Sequence, residues 1–396
     1  MFENKSIIIG VSGGIAAYKT AYLVSALSKT EADVNVIMTK NACEFISPLV
    51  FETLTGNKCY VDTFDRNFKF DVEHISLAKK ADIFMIAPAT ANVIAKIANG
   101  IADDMLTTTF LASKCKKIVS PAMNTAMFEN QITQDNIAKL KKYGIGVVEP
   151  QNGLLACGDT GAGKMPEPDF LFDVIEREIA REKDMLGKKV LVTAGATMES
   201  LDPVRFLTNH SSGKMGFAIA KEAMLRGAEV TVVKANTTAE IPNFVKIVEV
   251  SSAKDMFDAV TALSDQQDII VKAAAVADYT PESYVDSKIK KKDGDLSIPL
   301  KRTMDILKYL GENKKEGQFL CGFSMETDNM LENSKAKLSK KNADMIVANN
   351  LRDAGSGFKT DTNAVTLITR DGHRSLELKS KAEVAKGIFD EILGLI

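Results

Sequence analysis

The side chains able to do chemistry fall in a handful of short segments. Cys157 offers a thiol inside Leu154-Leu155-Ala156-Cys157-Gly158-Asp159-Thr160-Gly161-Ala162-Gly163-Lys164-Met165, a glycine-dense run suited to a mobile lid over a site. His74 stands in Val72-Glu73-His74-Ile75-Ser76, ahead of an amphipathic helix. Asn124 lies in Pro121-Ala122-Met123-Asn124-Thr125-Ala126-Met127, just after an apolar strand. Each also has a plain structural reading: a helix-cap histidine, a turn asparagine and a small buried thiol. Gly10-Val11-Ser12-Gly13-Gly14 closes a strand and opens a helix, so backbone N–H groups and the positive helix end can cradle an anion. Its spacing is not the GxGxxG of a dinucleotide site. Ile86-Ala87-Pro88-Ala89-Thr90-Ala91-Asn92 follows another strand. Its small residues permit close approach, and Thr90 and Asn92 can cap a helix. Two such strand ends suit a mononucleotide at a topological switch point.

A second set begins after Gly195. Ser211-Ser212-Gly213 precedes a helix expected over Phe217–Arg226 and supplies an N-terminal cap and another anion cradle. Gly213-Lys214 invites a Walker A reading, but Met215 follows the lysine and Thr208 stands where that motif needs glycine, so the reading fails. Lys272-Ala273-Ala274-Ala275-Val276-Ala277-Asp278 ends a strand, where small residues can admit a nucleotide base or ribose. Lys288-Ile289-Lys290-Lys291 reads as a solvated charged loop. Beside a triphosphate site, a lysine on such a flap can stabilise charge on transferring phosphoryl oxygens. Lys337 and Lys341, four apart on a helix expected over Asn329–Lys341, share one face.

The elements that must position these residues alternate between strand and helix. Apolar runs at 6–11, 33–38, 82–87, 117–120 and 146–148 do not alternate with polar residues, as in a parallel sheet covered on both faces. After a charged helix over Asp173–Lys183 the pattern restarts, with runs at 189–195, 228–233, 268–274, 319–323 and 344–348. It ends in a hairpin turned at Asp371-Gly372, and Asp293-Gly294 gives a second hairpin signal. The expected fold class is α/β: a flavodoxin-like parallel-sheet domain over 1–185, then a Rossmann-like domain over 186–396 with a C-terminal antiparallel hairpin. A chain of 396 residues, 45% hydrophobic and 26% charged, can fill two cores. Fifty basic against 52 acidic residues leave a net charge of −2, which excludes a global basic footprint for nucleic acid. No apolar run is long enough for a membrane helix, and the N-terminus lacks a signal-peptide layout, so a cytoplasmic protein is expected. The five scattered cysteines and three histidines show no zinc or CxxC spacing.

Together, GVSGGIAAYK, His74, IAPATAN, PAMNTAM and LACGDTGAGKM resemble the flavin-dependent cysteine decarboxylases. With the second-half segments, nearly the whole chain resembles the bifunctional phosphopantothenoylcysteine decarboxylase/phosphopantothenate–cysteine ligase family of bacterial coenzyme A biosynthesis. That resemblance implies FMN at Gly10, Ser12, Gly13, Thr39, Pro88, Thr90 and Asn92, and substrate contacts at Met127 and Ala156. It implies oxidation at the substrate carbon bearing sulfur, loss of the adjacent carboxylate, and reduction of the resulting enethiol with Cys157 as proton donor. His74 would assist the oxidative step, and Asn124 would hold the carboxylate. In the ligase half, 4′-phosphopantothenate attacks CTP to form an acyl-cytidylate, and cysteine displaces CMP, with Mg2+ bridging phosphates. The resemblance assigns the acyl intermediate to Asn209 and Arg205, the flap lysine to Lys288, and triphosphate contacts to Lys337 and Lys341. It assigns the nucleoside to Ala274, Asp278 and Phe323, with Asp305 and Ile306 at a further contact. Homo-oligomers follow too, the flavin halves in trimers and the ligase halves in dimers. The alternatives are a nicotinamide dehydrogenase, which lacks its glycine spacing in both halves, a peptidyl-cysteine decarboxylase, disfavoured by the ligase half, and a non-catalytic flavin-binding regulatory scaffold, opposed by the presence of His74, Asn124 and Cys157.

Overall fold

The computed structural model describes residues 2–64, 73–156, 158–290, 297–326, 329–350 and 360–396, in two compact units, Met1–Arg181 and Glu182–Ile396. The division precedes the expected one because residues just after it are anchored in the second unit. Lys183 Nζ donates to the Leu225 carbonyl (2.5 Å), and Met185 is fully buried with its N–H on the Arg226 carbonyl. Cys157 and the Asp293-Gly294 turn lie outside the described residues.

The first unit contains β1 (Ser6–Val11), β2 (Asp33–Met38), β3 (Cys59–Tyr60), β4 (Ile83–Ala89), β5 (Lys116–Pro121), β6 (Gly146–Val147), β7 (Gln151–Leu154) and β8 (Thr160–Lys164). The first six form one parallel sheet in the order β3-β2-β1-β4-β5-β6. Setting aside the two-residue β3, this is the flavodoxin order, and the switch point lies between β1 and β4. Every residue of β1 and β4 is buried, so both faces are covered and their apolar runs are continuous. Ile8, Phe84 and Ile86 join Leu106 and Phe110 in one core layer, where Phe84 meets Phe110 edge-on at 5.1 Å. β7 and β8 form a separate antiparallel hairpin.

The second unit contains β9 (Lys189–Ala194), β10 (Met198–Ser200), β11 (Phe206–Thr208), β12 (Glu229–Lys234), β13 (Lys246–Glu249), β14 (Ile269–Lys272), β15 (Tyr279–Pro281), β16 (Leu300–Arg302), β17 (Phe319–Glu326), β18 (Met345–Asn350), β19 (Thr362–Thr369) and β20 (His373–Ser380). Its sheet runs β13-β12-β9-β14-β17-β18-β19-β20: parallel through β18, then antiparallel, with the last turn at Asp371-Gly372 as expected. The parallel part has the doubly wound Rossmann order, with its switch point between β9 and β14. Leu191, Ile270, Leu320 and Ile346 carry the core across successive strands. The ladders β10–β11 and β15–β16 are too short for a periodic signal.

Candidate active sites

In the first unit, hydroxyls tie the two strand ends of the switch point together. Ser12 Oγ donates to the Pro88 carbonyl (2.8 Å) and accepts from the Thr90 N–H (3.0 Å). Thr90 caps the helix Ala91–Ala98, whereas Asn92 lies inside that helix rather than capping it. Thr39, at the end of β2, accepts from the Ala42 N–H at 3.2 Å. Around this junction lie two cavities that share Gly13, Thr90 and Met127. One, about 560 Å³, is the more polar of the two and is lined by Thr39, Lys40, Asn41 and Asn92 among others. The other, about 410 Å³, is more apolar and lined by Ile15, Met123, Asn124, Leu155, Ala156 and Met165.

Gly10 departs from the expectation. It lies inside β1, and a Cβ there would sit 2.5 Å from Leu106 Cδ1 and 3.2 Å from Phe84 Cε2. Its missing side chain makes room for the core, not for an anion. Gly13 does border the cavities, and its Cβ would meet Asn41 Cβ at 2.6 Å.

On either side of Cys157 the described part of the glycine-dense segment pairs as the hairpin β7–β8. Gly163, at φ +128°, would place a Cβ 2.3 Å from the Met123 carbonyl oxygen, and Gly161 would place one 2.6 Å from Thr125 Oγ1. The Met123 N–H donates to the Gly163 carbonyl at 3.1 Å. Asn124 caps the helix Thr125–Glu129 through its Oδ1 (2.9 Å from the Ala126 N–H), while its Nδ2 donates to Asp159 Oδ2 at 2.9 Å. Ala156 brings the chain to the apolar cavity immediately before Cys157. His74, half-buried on the helix Glu73–Lys80, lines neither cavity, so the described residues do not bring it to Asn124.

In the second unit, two cavities of about 360 and 680 Å³ meet at the end of β14 and share Lys272, Val276, Asp278, Phe323 and Lys337. The smaller is bordered by Asn209, Ser211, Ser212 and Gly213. Asn209 Nδ2 donates to the Ala275 carbonyl at 3.2 Å. The following helix starts at Lys214, ahead of the expected position. Its cap is Gly213, at φ +82°, with no side-chain capping bond, so the serines border the helix start without capping it. A Cβ on Gly213 would lie 2.4 Å from Thr237 Oγ1. Ala274, on the same wall, donates its N–H to Thr193 Oγ1 at 3.0 Å.

The larger cavity is bordered by Asp305, Ile306 and Lys341. Asp305 caps the helix Ile306–Glu312 and pairs with Lys341. Burial would raise its carboxyl, but the Lys341 ammonium and the Lys308 N–H outweigh it and hold it below the usual range. Ile306 is buried and belongs also to the core. Lys337 Nζ donates to the Phe323 carbonyl at 3.0 Å.

Arg205 is engaged elsewhere than expected. Its guanidinium donates to Asp202 Oδ2 (2.7 and 3.0 Å) and to the Ile289 carbonyl (2.7 Å), and it lines neither cavity. Asp202 is buried and also accepts the Ile289 N–H at 3.1 Å. Burial opposes its ionisation, yet Arg205 and three backbone N–H groups hold the carboxyl far below the usual carboxylate range. The pair therefore fixes the root of the flap. Lys288, next to Ile289, is exposed and also lines neither cavity. Among the described residues no group of three or more His, Cys, Asp and Glu side chains is arranged to hold a metal ion.

A crystal structure of the C-terminal domain of a coenzyme A biosynthesis bifunctional protein CoaBC is 45% identical, covers 52% of this chain and 94% of that one, and superposes with a TM-score of 0.45. Residues 1–180 match the family described as Flavoprotein, and residues 185–395 the family described as DNA/pantothenate metabolism flavoprotein C-terminal domain. The coenzyme A biosynthesis bifunctional protein CoaBC of Haemophilus influenzae (strain ATCC 51907 / DSM 11121 / KW20 / Rd) is 41% identical over 391 residues, 99% of this chain and 98% of its own. That of Bacillus subtilis (strain 168) is 46% identical over 399 residues, 100% of this chain and 98% of its own. With matches of this length, the chain belongs to the family of coenzyme A biosynthesis bifunctional proteins.

Proposed function

We propose that the second unit joins 4′-phosphopantothenate to cysteine at the expense of CTP, and that the first unit decarboxylates the product to 4′-phosphopantetheine with FMN. One observation carries this reading: each unit has ligand-sized cavities at the switch point of its own sheet, in a chain that aligns end to end with bifunctional relatives.

FMN fits the donor set of the first unit. The more polar cavity offers Thr39, Asn41, Thr90 and Asn92 for a ribityl phosphate, with Asp62 and Asp103 already paired to Lys40 and Lys96. The apolar cavity offers Ile15, Met123 and Met165 to a ring. When bound, FMN supplies reversible two-electron redox chemistry at the cysteinyl carbon. The chain's own residues place the substrate and move protons. The Asn124 amide, now on Asp159, takes the substrate carboxylate. Cys157, next to the cavity-lining Ala156, returns the proton that replaces carbon dioxide. His74 assists the oxidative half from beyond the described cavities.

In the second unit the phosphopantothenate carboxylate forms a bond to the α-phosphorus of CTP while the bond to pyrophosphate breaks. The cysteine amine then forms the amide as CMP leaves, and its proton passes to water. Asn209 holds the acyl group. Lys337 and Lys341 meet the triphosphate, Phe323 the base, and Ala274 and Asp278 the nucleoside. Mg2+ would be held chiefly by the phosphates of the nucleotide, where it would offset their charge. Lys288 enters by its side chain from the anchored flap. Arg205 acts through Asp202 and Ile289 instead of touching phosphate.

The enzyme acts in the cytoplasm as a homo-oligomer, with first units in threes and second units in twos. Exposed Tyr22, Phe45 and Leu49 on the first unit supply apolar surface for such contacts. Among the described residues no helix is long and apolar enough to cross a membrane. The test is mass spectrometry after incubation with 4′-phosphopantothenate, cysteine, CTP and Mg2+. Pyrophosphate, CMP and 4′-phosphopantetheine are expected, and the absence of CMP and 4′-phosphopantetheine refutes the reading.

A further inference from the structure

Lys272 occupies a place that packing does not demand. It is the last residue of β14, in register with Thr193 of β9 on one side and Gly322 of β17 on the other, at the crevice where an open α/β sheet receives ligands. It borders both cavities of the second unit. The other cation common to both, Lys337, is held on the Phe323 carbonyl at 3.0 Å. Lys272 has no hydrogen-bond or ion-pair partner among the described residues, and alanines follow it at 273, 274 and 275. A half-buried ammonium without an acceptor is unfavourable by itself, and an anionic ligand relieves it.

We propose that Lys272 is an additional substrate-contacting residue of the ligase reaction, its ammonium pairing with the phosphate oxygens of the nucleoside triphosphate where the two cavities meet. The inference rests on the ligase reading above and names a residue that reading does not use. On the ligase reading, an α-phosphoryl group seated at that junction would have this cation beside it, stabilising the charge that passes to pyrophosphate. The charges around Lys272 come from every wall. Lys337, Lys340 and Lys341 lie on the helix Met330–Lys340 and its C-terminal cap, Asp305 on a helix cap, Asp278 on the loop after β14, and Arg302 on β16. Lys214 and Lys381 lie at two helix starts. Burial first, and then Lys337, push the Lys272 ammonium down to about 8, against the opposing pull of Asp305 and Asp278. Bound phosphate raises it again. Binding at pH 8.5 therefore takes up roughly three-quarters of a proton, and binding at pH 6.5 takes up almost none.

The experiment is calorimetric titration of the full chain with CTP–Mg2+ alone, at both pH values, in two buffers of different ionisation enthalpy. Lys272→Met keeps the length of the side chain without its charge, and Lys272→Arg keeps the charge without the titration. The parent is expected to bind with proton uptake at the higher pH. Lys272→Met is expected to bind about 10- to 100-fold more weakly with the uptake gone, the range for losing one hydrogen bond to a charged group. Lys272→Arg is expected to restore binding without uptake. Unchanged affinity and uptake in Lys272→Met, with uptake then traced to a group such as Lys381, overturn the assignment. A parent that neither binds CTP nor forms CMP overturns instead the ligase reading on which it rests. An unaltered melting transition and flavin absorbance certify that each variant is folded.

Discussion

Replacing Gly10 with alanine separates two roles for the first glycine of the cradle. The added methyl would meet Leu106 Cδ1 at 2.5 Å, Ile86 Cγ1 at 3.1 Å and Phe84 Cε2 at 3.2 Å, all within one closely packed layer. Overpacking of this kind destabilises by about 1–3 kcal/mol. For a unit of this size that lowers Tm by roughly 2–12 °C. Gly10 lines neither cavity, so FMN affinity at 25 °C is expected to change by less than about threefold. The assays are thermal unfolding of the flavin-depleted protein and fluorescence titration with FMN. Gly10→Ala with Leu106→Val should recover part of the lost stability, because the second change vacates the space the first one fills. A variant with the parental Tm and a tenfold or greater loss of FMN affinity would refute the packing argument and restore the anion-cradle role.

Other outcomes follow from the same structure. Cys157→Ser should still oxidise substrate but stall before the final reduction, followed by flavin bleaching and product mass; normal product release removes the thiol from the mechanism. Burial pushes the Cys59 thiol up to about 12 and raises Cys321 further, so Ellman titration at pH 8 should label the half-buried Cys43 and Cys115 well before either, and equal rates at the buried thiols would contradict their placement. Lys288→Gln should slow ligation by about 10²–10³-fold with CTP binding largely kept, and unchanged amide formation discards the flap lysine. The Asp202 carboxyl is held below its unfolded value, so its stabilising effect is full above that value and disappears as pH falls through the folded one. Flap protection from limited proteolysis should hold from pH 7 to 5 and decline below, whereas Asp202→Asn should expose the flap even at pH 7.

Long, fully buried strands were the most legible part of the chain. Ser6–Val11 and Ile83–Ala89 announce themselves because burial on both faces leaves a nearly unbroken apolar run. Three-residue ladders such as Met198–Ser200 with Phe206–Thr208 carry no period to detect. Glycine was the least transparent residue type. Gly10, Gly13 and Gly163 look alike in sequence, yet one fills a core, one borders a cavity and one lets a hairpin lie on the Met123 carbonyl. The family resemblance, rather than chemical type, pointed to Asn209, Lys337 and Lys341, which line the cavities. It pointed equally to Arg205, which lines neither because the nearby Asp202 competes for its guanidinium. Lys272 passed unnoticed among small residues, since only the sheet order reveals that β14 ends at the switch point.

The clasp on Ile289 has a mechanical corollary for catalysis. With both the N–H and the carbonyl of that residue held, the neighbouring Cα of Lys288 stays about 3.8 Å from a pinned point. The ammonium therefore explores a hemisphere set by four methylenes instead of sweeping in with a long arm. On the proposed ligase reading, its approach to the phosphates would be a change of rotamer and not of backbone. An enzyme built this way has little to gain from a longer or softer flap and much to lose from a slackened hinge.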